Sequence, residues 1–225
     1  MHEFMSNNRY MDLRNVKIVR IILIIFFSVG IAGISIPKSR EFFILLTPVA
    51  LLISFIILAA FHQPIQLKKE LLVFSTIFFV SFIIEAIGAN TGKIFGSYSY
   101  GKGLGAKLFN TPLLIGFNWV MLVYCTAGLA DKIKLPLIIK IITSSLLMLL
   151  YDVAMEQVAP EIGMWSFSGE VVPLSNYLAW FVVAFLFHSF LRFARIKVIN
   201  RMVRFIFTVQ FLFFLILAFS FRIFQ

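Results

Sequence analysis

Charge is scarce in this sequence, and acid scarcer still: 13% of the 225 residues are charged, and only ten are Asp or Glu. A soluble domain of this length must cover itself with polar side chains, and that cover is missing. Cysteine occurs once, at Cys125, which excludes an internal disulfide and any multi-cysteine metal site. Proline is sparse inside the apolar stretches. Pro37, Pro64, Pro112, Pro136, Pro160 and Pro173 lie at or between them, and Pro48 alone falls within one, where a mild kink is expected. There is no Gly-rich nucleotide loop and no HExxH helix. No pair of aspartate-rich motifs is present to hold a magnesium diphosphate, which speaks against an intramembrane prenyltransferase. The last apolar stretch has Arg204 and Arg222 at its ends but no lysine, so a retinal Schiff base has no anchor.

What is abundant is hydrocarbon. Apolar residues make up 61% of the chain, with twenty-eight phenylalanines and a mean hydropathy of +0.99. Seven apolar runs, at 18–36, 42–61, 71–88, 112–130, 135–155, 174–191 and 203–221, each approach the roughly 20 residues that cross a bilayer. The expectation is an all-α fold, a polytopic transmembrane bundle of about seven helices forming one domain over 1–225. The first run follows Arg9, Arg14, Lys17 and Arg20, but it is long for a signal peptide and no small-residue cleavage site follows it. It reads as an uncleaved first helix. The formal charge of +10 does not indicate nucleic acid, because the basic residues sit in short clusters between apolar runs rather than along a polar groove. Counted over alternate connections, Lys and Arg number 14 on the N-terminal side and 6 on the other. That bias predicts a cytoplasmic N-terminus; the membrane is expected to be a bacterial or archaeal cytoplasmic membrane.

Two connections carry unusual chemistry. From Gly88 to Gly105, six of eighteen residues are glycine, interleaved with Asn90, Tyr98 and Tyr100. The connection after the fifth run contains Trp165 and Phe167, then Asn176, Tyr177 and Trp180. Helices alternate in direction, so the ends of runs 3 and 5 and the starts of runs 4 and 6 share one membrane face. Glu85, Asp152 and Glu156 belong to that face and have no basic neighbour in sequence. Asp152 and Glu156 are four apart, on one side of a helix. Asn118 lies about two turns into run 4. An ionisable group at membrane depth costs a few kcal/mol at least, so it usually faces the bundle interior with a partner or a task. The plainer alternatives are that Glu85 pairs with Lys93, that Asp152 and Glu156 are a solvated helix end, and that Tyr98, Tyr100, Trp165 and Trp180 form an interfacial aromatic belt. Glu41, Glu70 and Asp131 stand beside basic residues and read as interface charges, and Glu161 and Glu170 as loop charges. His62, His188 and Cys125 read as structural.

The run Glu85, Gly88, Asn90, Thr91, Gly92, Phe95, Gly96, Tyr98, Tyr100, Gly105, Pro112, Gly116, Asn118, Trp119 resembles the carotenoid biosynthesis membrane proteins of the bisanhydrobacterioruberin hydratase and gamma-carotene hydratase type. The later run Asp152, Glu156, Trp165, Phe167, Pro173, Asn176, Tyr177, Trp180 resembles the same family's second signature. Gln157 stands where that family commonly has proline, and Phe167 where it commonly has tryptophan. The remaining runs match only in hydrophobicity.

The resemblance implies hydration of the terminal double bond of an acyclic carotenoid end, giving a tertiary alcohol. The chemistry needs an acid that is protonated near neutral pH, negative charge or aromatic faces beside the tertiary cation, and a positioned water. Glu85, Asp152 and Glu156 are the candidate catalytic acids. Asn90, Tyr98, Tyr100, Asn118, Trp119, Trp165, Asn176, Tyr177 and Trp180 are candidate substrate-binding residues. No metal and no cofactor is expected. The expected partners are a carotenoid arriving from the lipid phase, the membrane itself and other carotenoid-pathway enzymes, with no nucleic acid. Two alternatives stand beside this reading. A small membrane lycopene cyclase would use the same protonation and then close a ring. A non-catalytic carrier or proton-coupled transporter would use Glu85 and Asp152 as a titrating pair.

Overall fold

The computed structural model describes residues 2–169 and 171–223, the stretch up to residue 14 as backbone only. Arg9 and Arg14 as side chains, and Glu170, lie outside the described residues. Among the described residues, eight helices run in order: α1 (His2–Ser35), α2 (Pro37–Leu45), α3 (Thr47–Ala60), α4 (Leu67–Thr91), α5 (Leu114–Ala130), α6 (Leu137–Glu156), α7 (Leu174–Phe193) and α8 (Val203–Ile223). Four short strands join them: β1 (Tyr98–Tyr100), β2 (Lys107–Leu108), β3 (Thr111–Pro112) and β4 (Trp165–Phe167). Among the described residues five helices are long and apolar enough to cross a membrane, and α2 with α3 makes a sixth if the bent pair counts as one span. The protein is an all-α, multi-pass integral membrane bundle.

The second apolar run differs from its expectation. The mild kink expected at Pro48 is a break of 49° just before it. Pro48 has no N–H to donate and its ring clashes with the carbonyl four residues back, so the helix through Leu45 cannot continue. Pro48 instead occupies the first turn of α3, where a missing N–H is harmless. The charged stretch Lys38, Arg40, Glu41, expected as a connection, is helical in α2 behind Pro37. Arg40 turns back to the Ile34 carbonyl at 3.0 Å and lies over the Phe221 ring.

Helix α5 is the hub. It packs against α3, α4, α6, α7 and α8, and nearly all of its 17 residues are buried. At about 1.5 Å per residue it is some 25 Å long, shorter than the hydrocarbon thickness. Protein rather than lipid surrounds it, so its length is not set by the bilayer. The outer helices turn large apolar side chains outward, among them Ile25, Phe79, Leu150 and Leu186, as lipid requires.

The two unusual connections are joined to each other. β1 and β4 pair antiparallel, with Tyr98 opposite Phe167 and Tyr100 opposite Trp165. Beyond the strands, Gly101 and Gly103 donate to the carbonyls of Met164 and Gly163. A β-carbon at Gly103 would stand 2.4 Å from the Ile162 oxygen, so only glycine admits this backbone contact. The ribbon closes one end of the bundle over α4, α5, α6 and α7.

Candidate active site

Glu85 sits on the penultimate turn of α4 and is 3% exposed. It does not reach Lys93. Tyr98 and Tyr100 each donate their phenol O–H to Glu85 Oε2 at 2.7 Å, and the Trp119 indole N–H donates to Oε1 at 2.8 Å. Gly88, one turn along, makes this possible: a β-carbon there would stand 2.6 Å from the Phe95 ring, behind which Tyr98 packs. Burial and the Glu85 carboxylate push the Tyr98 and Tyr100 phenols above their ordinary range, so both keep the protons they donate. Lys107, a cation of this loop, is bound to the Tyr100 backbone carbonyl instead.

The second acid group lies on α6. Asp152 is fully buried and Glu156 is 5% exposed. The amide of Asn176, on the first turn of α7, donates to Asp152 Oδ2 and to Glu156 Oε1, both at 3.1 Å. The Trp165 indole donates to Glu156 Oε2 at 3.0 Å. Asp152 Oδ1 is buried without a hydrogen-bond partner. Four-residue spacing on one helix turns both carboxyls toward α7, where one amide can bridge them.

Between these groups is a cavity of about 10 Å³, enough for one water. Glu85 and Glu156 line it, with Tyr98, Tyr100, Trp165 and Trp180. Trp119 and Trp180 stack at 4.2 Å with an 18° interplanar angle, which joins α5 to α7 behind the cavity. Outside it, an open cleft of about 580 Å³ is lined by Glu156, Gln157, Ser166 and Tyr177. Glu156 thus borders both the inner cavity and the outer cleft. An apolar recess of about 310 Å³ lies elsewhere, between α1, the α2–α3 bend and α8, and none of the three acids lines it.

Most of the sequence-predicted residues meet here: Glu85, Asp152, Glu156, Tyr98, Tyr100, Trp119, Trp165, Asn176 and Trp180. Tyr177 stands in the outer cleft. Two do not join them. Asn90 bonds the Ala86 and Phe109 carbonyls and Asn110, which pins the loop rather than facing the cavity. Asn118 is buried without a hydrogen bond to any site group, because it points about 100° around α5 from Trp119. Phe95, Ile115 and Phe167 also line the cavity, and sequence reasoning did not select them as site residues. Phe95 and Phe167 lie within the two signature runs, which was the available signal. Among the described residues, no group of three His, Cys, Asp or Glu side chains could hold a metal ion.

The site thus gathers three buried carboxyls and aromatic walls at one end of the membrane bundle. Residues 42–224 match the family described as carotenoid biosynthesis protein. The chain belongs to that family, and its role lies in carotenoid biosynthesis. Searches of curated proteins and of solved structures find no match.

Proposed function

We propose that the protein is a carotenoid hydratase that adds water across the terminal double bond of an acyclic carotenoid end. The observation that carries this reading is the pair of buried acid groups held only by neutral donors around a water-sized, aromatic-walled cavity. Among the described residues no Lys or Arg neutralises them, so the carboxyls are left to trade protons and to face a cation.

The steps balance as follows. A proton of the Asn176-linked Asp152–Glu156 pair passes from Asp152 by way of Glu156, which lines the cavity, to the CH carbon of the trisubstituted alkene, and the π pair forms the new C–H bond. The positive charge falls on the dimethyl-substituted carbon. The faces of Trp165 and Trp180 and the Glu85 carboxylate stabilise it. Water admitted past Glu156 attacks that carbon, and its proton passes to Glu156. Return of a proton to Asp152, through the Asn176-linked pair or from the outer cleft, resets the site, and the sum is addition of one water. The polyene comes from the lipid phase, and the cavity takes an end group only after its aromatic walls part. The Lys/Arg bias supports a cytoplasmic N-terminus, with the site on the opposite face.

Expression in cells that accumulate lycopene or gamma-carotene, with mass spectrometry of the pigments, tests this. A product heavier by one water supports it. An isomer of unchanged mass would indicate a cyclase instead, and unchanged pigments would favour the carrier reading.

A further inference from the structure

At the end of the bundle opposite the acids, a cleft of about 530 Å³ opens between the end of α5, the start of α6 and the α7–α8 connection. Lys140, Arg192, Arg195 and Lys197 line it, with Asp131 as its one acid. That acid is already engaged. Arg192 Nη1 donates to Asp131 Oδ1 at 2.7 Å, and Lys140 Nζ lies 3.7 Å from the same oxygen. Arg192 also donates to the Ala127 carbonyl at 3.2 Å, which fixes it as a wall of the cleft. Arg195 and Lys197 are exposed, and among the described residues no acid pairs with either.

Arg195 occupies an unusual place. Helix α7 ends with the Arg195 N–H on the Arg192 carbonyl and the Ile196 N–H on the Leu191 carbonyl. This is a Schellman turn, and its left-handed position normally holds glycine. Here it holds Arg195 at φ 54°. An arginine in that conformation is disfavoured, so it stands there against local preference. The result is a cation at a helix C-terminus, over a cleft with a surplus of positive charge. Beside it Phe193 is 92% exposed and Ile199 43% exposed, apolar surface that hydrocarbon would cover.

We propose that this cleft binds the phosphate of an anionic membrane lipid, with an acyl chain lying along Phe193 and Ile199. Charge complementarity selects the headgroup, and the adjacent exposed apolar side chains distinguish a lipid from free phosphate. The inference is independent of the chemistry proposed for the acid site.

The test is thermal melting of the purified full chain in detergent with added phosphatidylglycerol, phosphatidylcholine or inorganic phosphate. Phosphatidylglycerol should raise the midpoint, and the other two should not. The double variant Arg195→Gly, Lys197→Gln should bind phosphatidylglycerol roughly thirtyfold more weakly, each cation near the surface contributing about equally. Arg195→Gly relieves the left-handed strain, so the lipid-free midpoint should hold or rise while the lipid response falls roughly fivefold. The control Lys68→Gln, Lys69→Gln removes two exposed cations from the same end outside the cleft and should keep the response. An equal loss in that control, an equal shift from phosphatidylcholine or an equal shift from inorganic phosphate would each overturn the proposal.

Discussion

The two ends of helix α4 each bury a glutamate, and they treat it differently. Glu70, at the start, accepts the backbone N–H groups of Ile65 and Gln66 at 3.0 and 3.1 Å, and meets His62 Nε2 at 2.9 Å. The other His62 nitrogen meets the Tyr124 hydroxyl, to which Asn200 donates, and Asn200 is itself anchored at the Leu58 carbonyl. Glu85, fifteen residues and about 22 Å further along, meets only phenols and an indole. Nearby, Asp152 keeps one oxygen without a partner. A carboxylate held by backbone donors and an imidazole is tied into the fold. One held by neutral side chains beside a cavity remains able to take up or release a proton. The first arrangement is a staple for α3, α4, α5 and the α7–α8 connection, and the second is suited to chemistry.

The comparison breaks most visibly at Asp152. Asp152→Asn keeps the shape and the Asn176 contact but removes the exchangeable proton. Product should fall by about 10³-fold, the scale of a lost general acid, with membrane insertion unchanged. Glu85→Gln comes next, at roughly 10²-fold, because stabilisation of the cation is lost while the proton source remains. Pigment analysis on matched amounts of inserted protein reads both. Full activity in the two variants would remove the acid assignment.

Glu70→Gln sharpens the contrast from the other side. It weakens hydrogen bonds to a charged, buried acceptor and should cost about 2 kcal/mol of stability, seen as a lower melting midpoint in detergent. Turnover per folded molecule should be unchanged. A loss of turnover without a loss of stability would mean the two ends are not separate in role.

How far these ends could be read from sequence follows from the range of the interactions. The apolar runs and their alternation are local signals, and they correctly put Glu85, Asp152 and Glu156 on one face. Glu70 was misread as an interface charge because Lys68 and Lys69 are its neighbours in sequence. Its actual partners come from the turn at 62–66, folded back over the start of α4. Pairing of β1 with β4 joins segments some 65 residues apart, and three-residue strands leave no periodicity to detect. Asn118 and Trp119 differ by one residue, yet only one faces Glu85. A helix start uncertain by two residues shifts its facing side by about 200°, so sequence alone does not choose between them. The α2–α3 break was legible as Pro48 but underestimated, since proline's steric effect falls on the preceding turn.

The smallest expected effect isolates a single hydrogen bond. Trp119→Phe keeps an aromatic ring against Trp180 and removes the N–H that reaches Glu85. One lost bond to a charged acceptor corresponds to about 1.5 kcal/mol at the low end, so turnover should fall roughly tenfold. Tyr124→Phe is its counterpart at the stapled end. It removes the hydroxyl shared by His62 and Asn200 while keeping the edge contacts with Phe74 and His62. Its effect should appear in the melting midpoint and not in turnover per folded molecule. If both substitutions lower stability alike and neither changes turnover, the hydrogen bonds to Glu85 are another staple, and the proposed division between the two ends of α4 is lost.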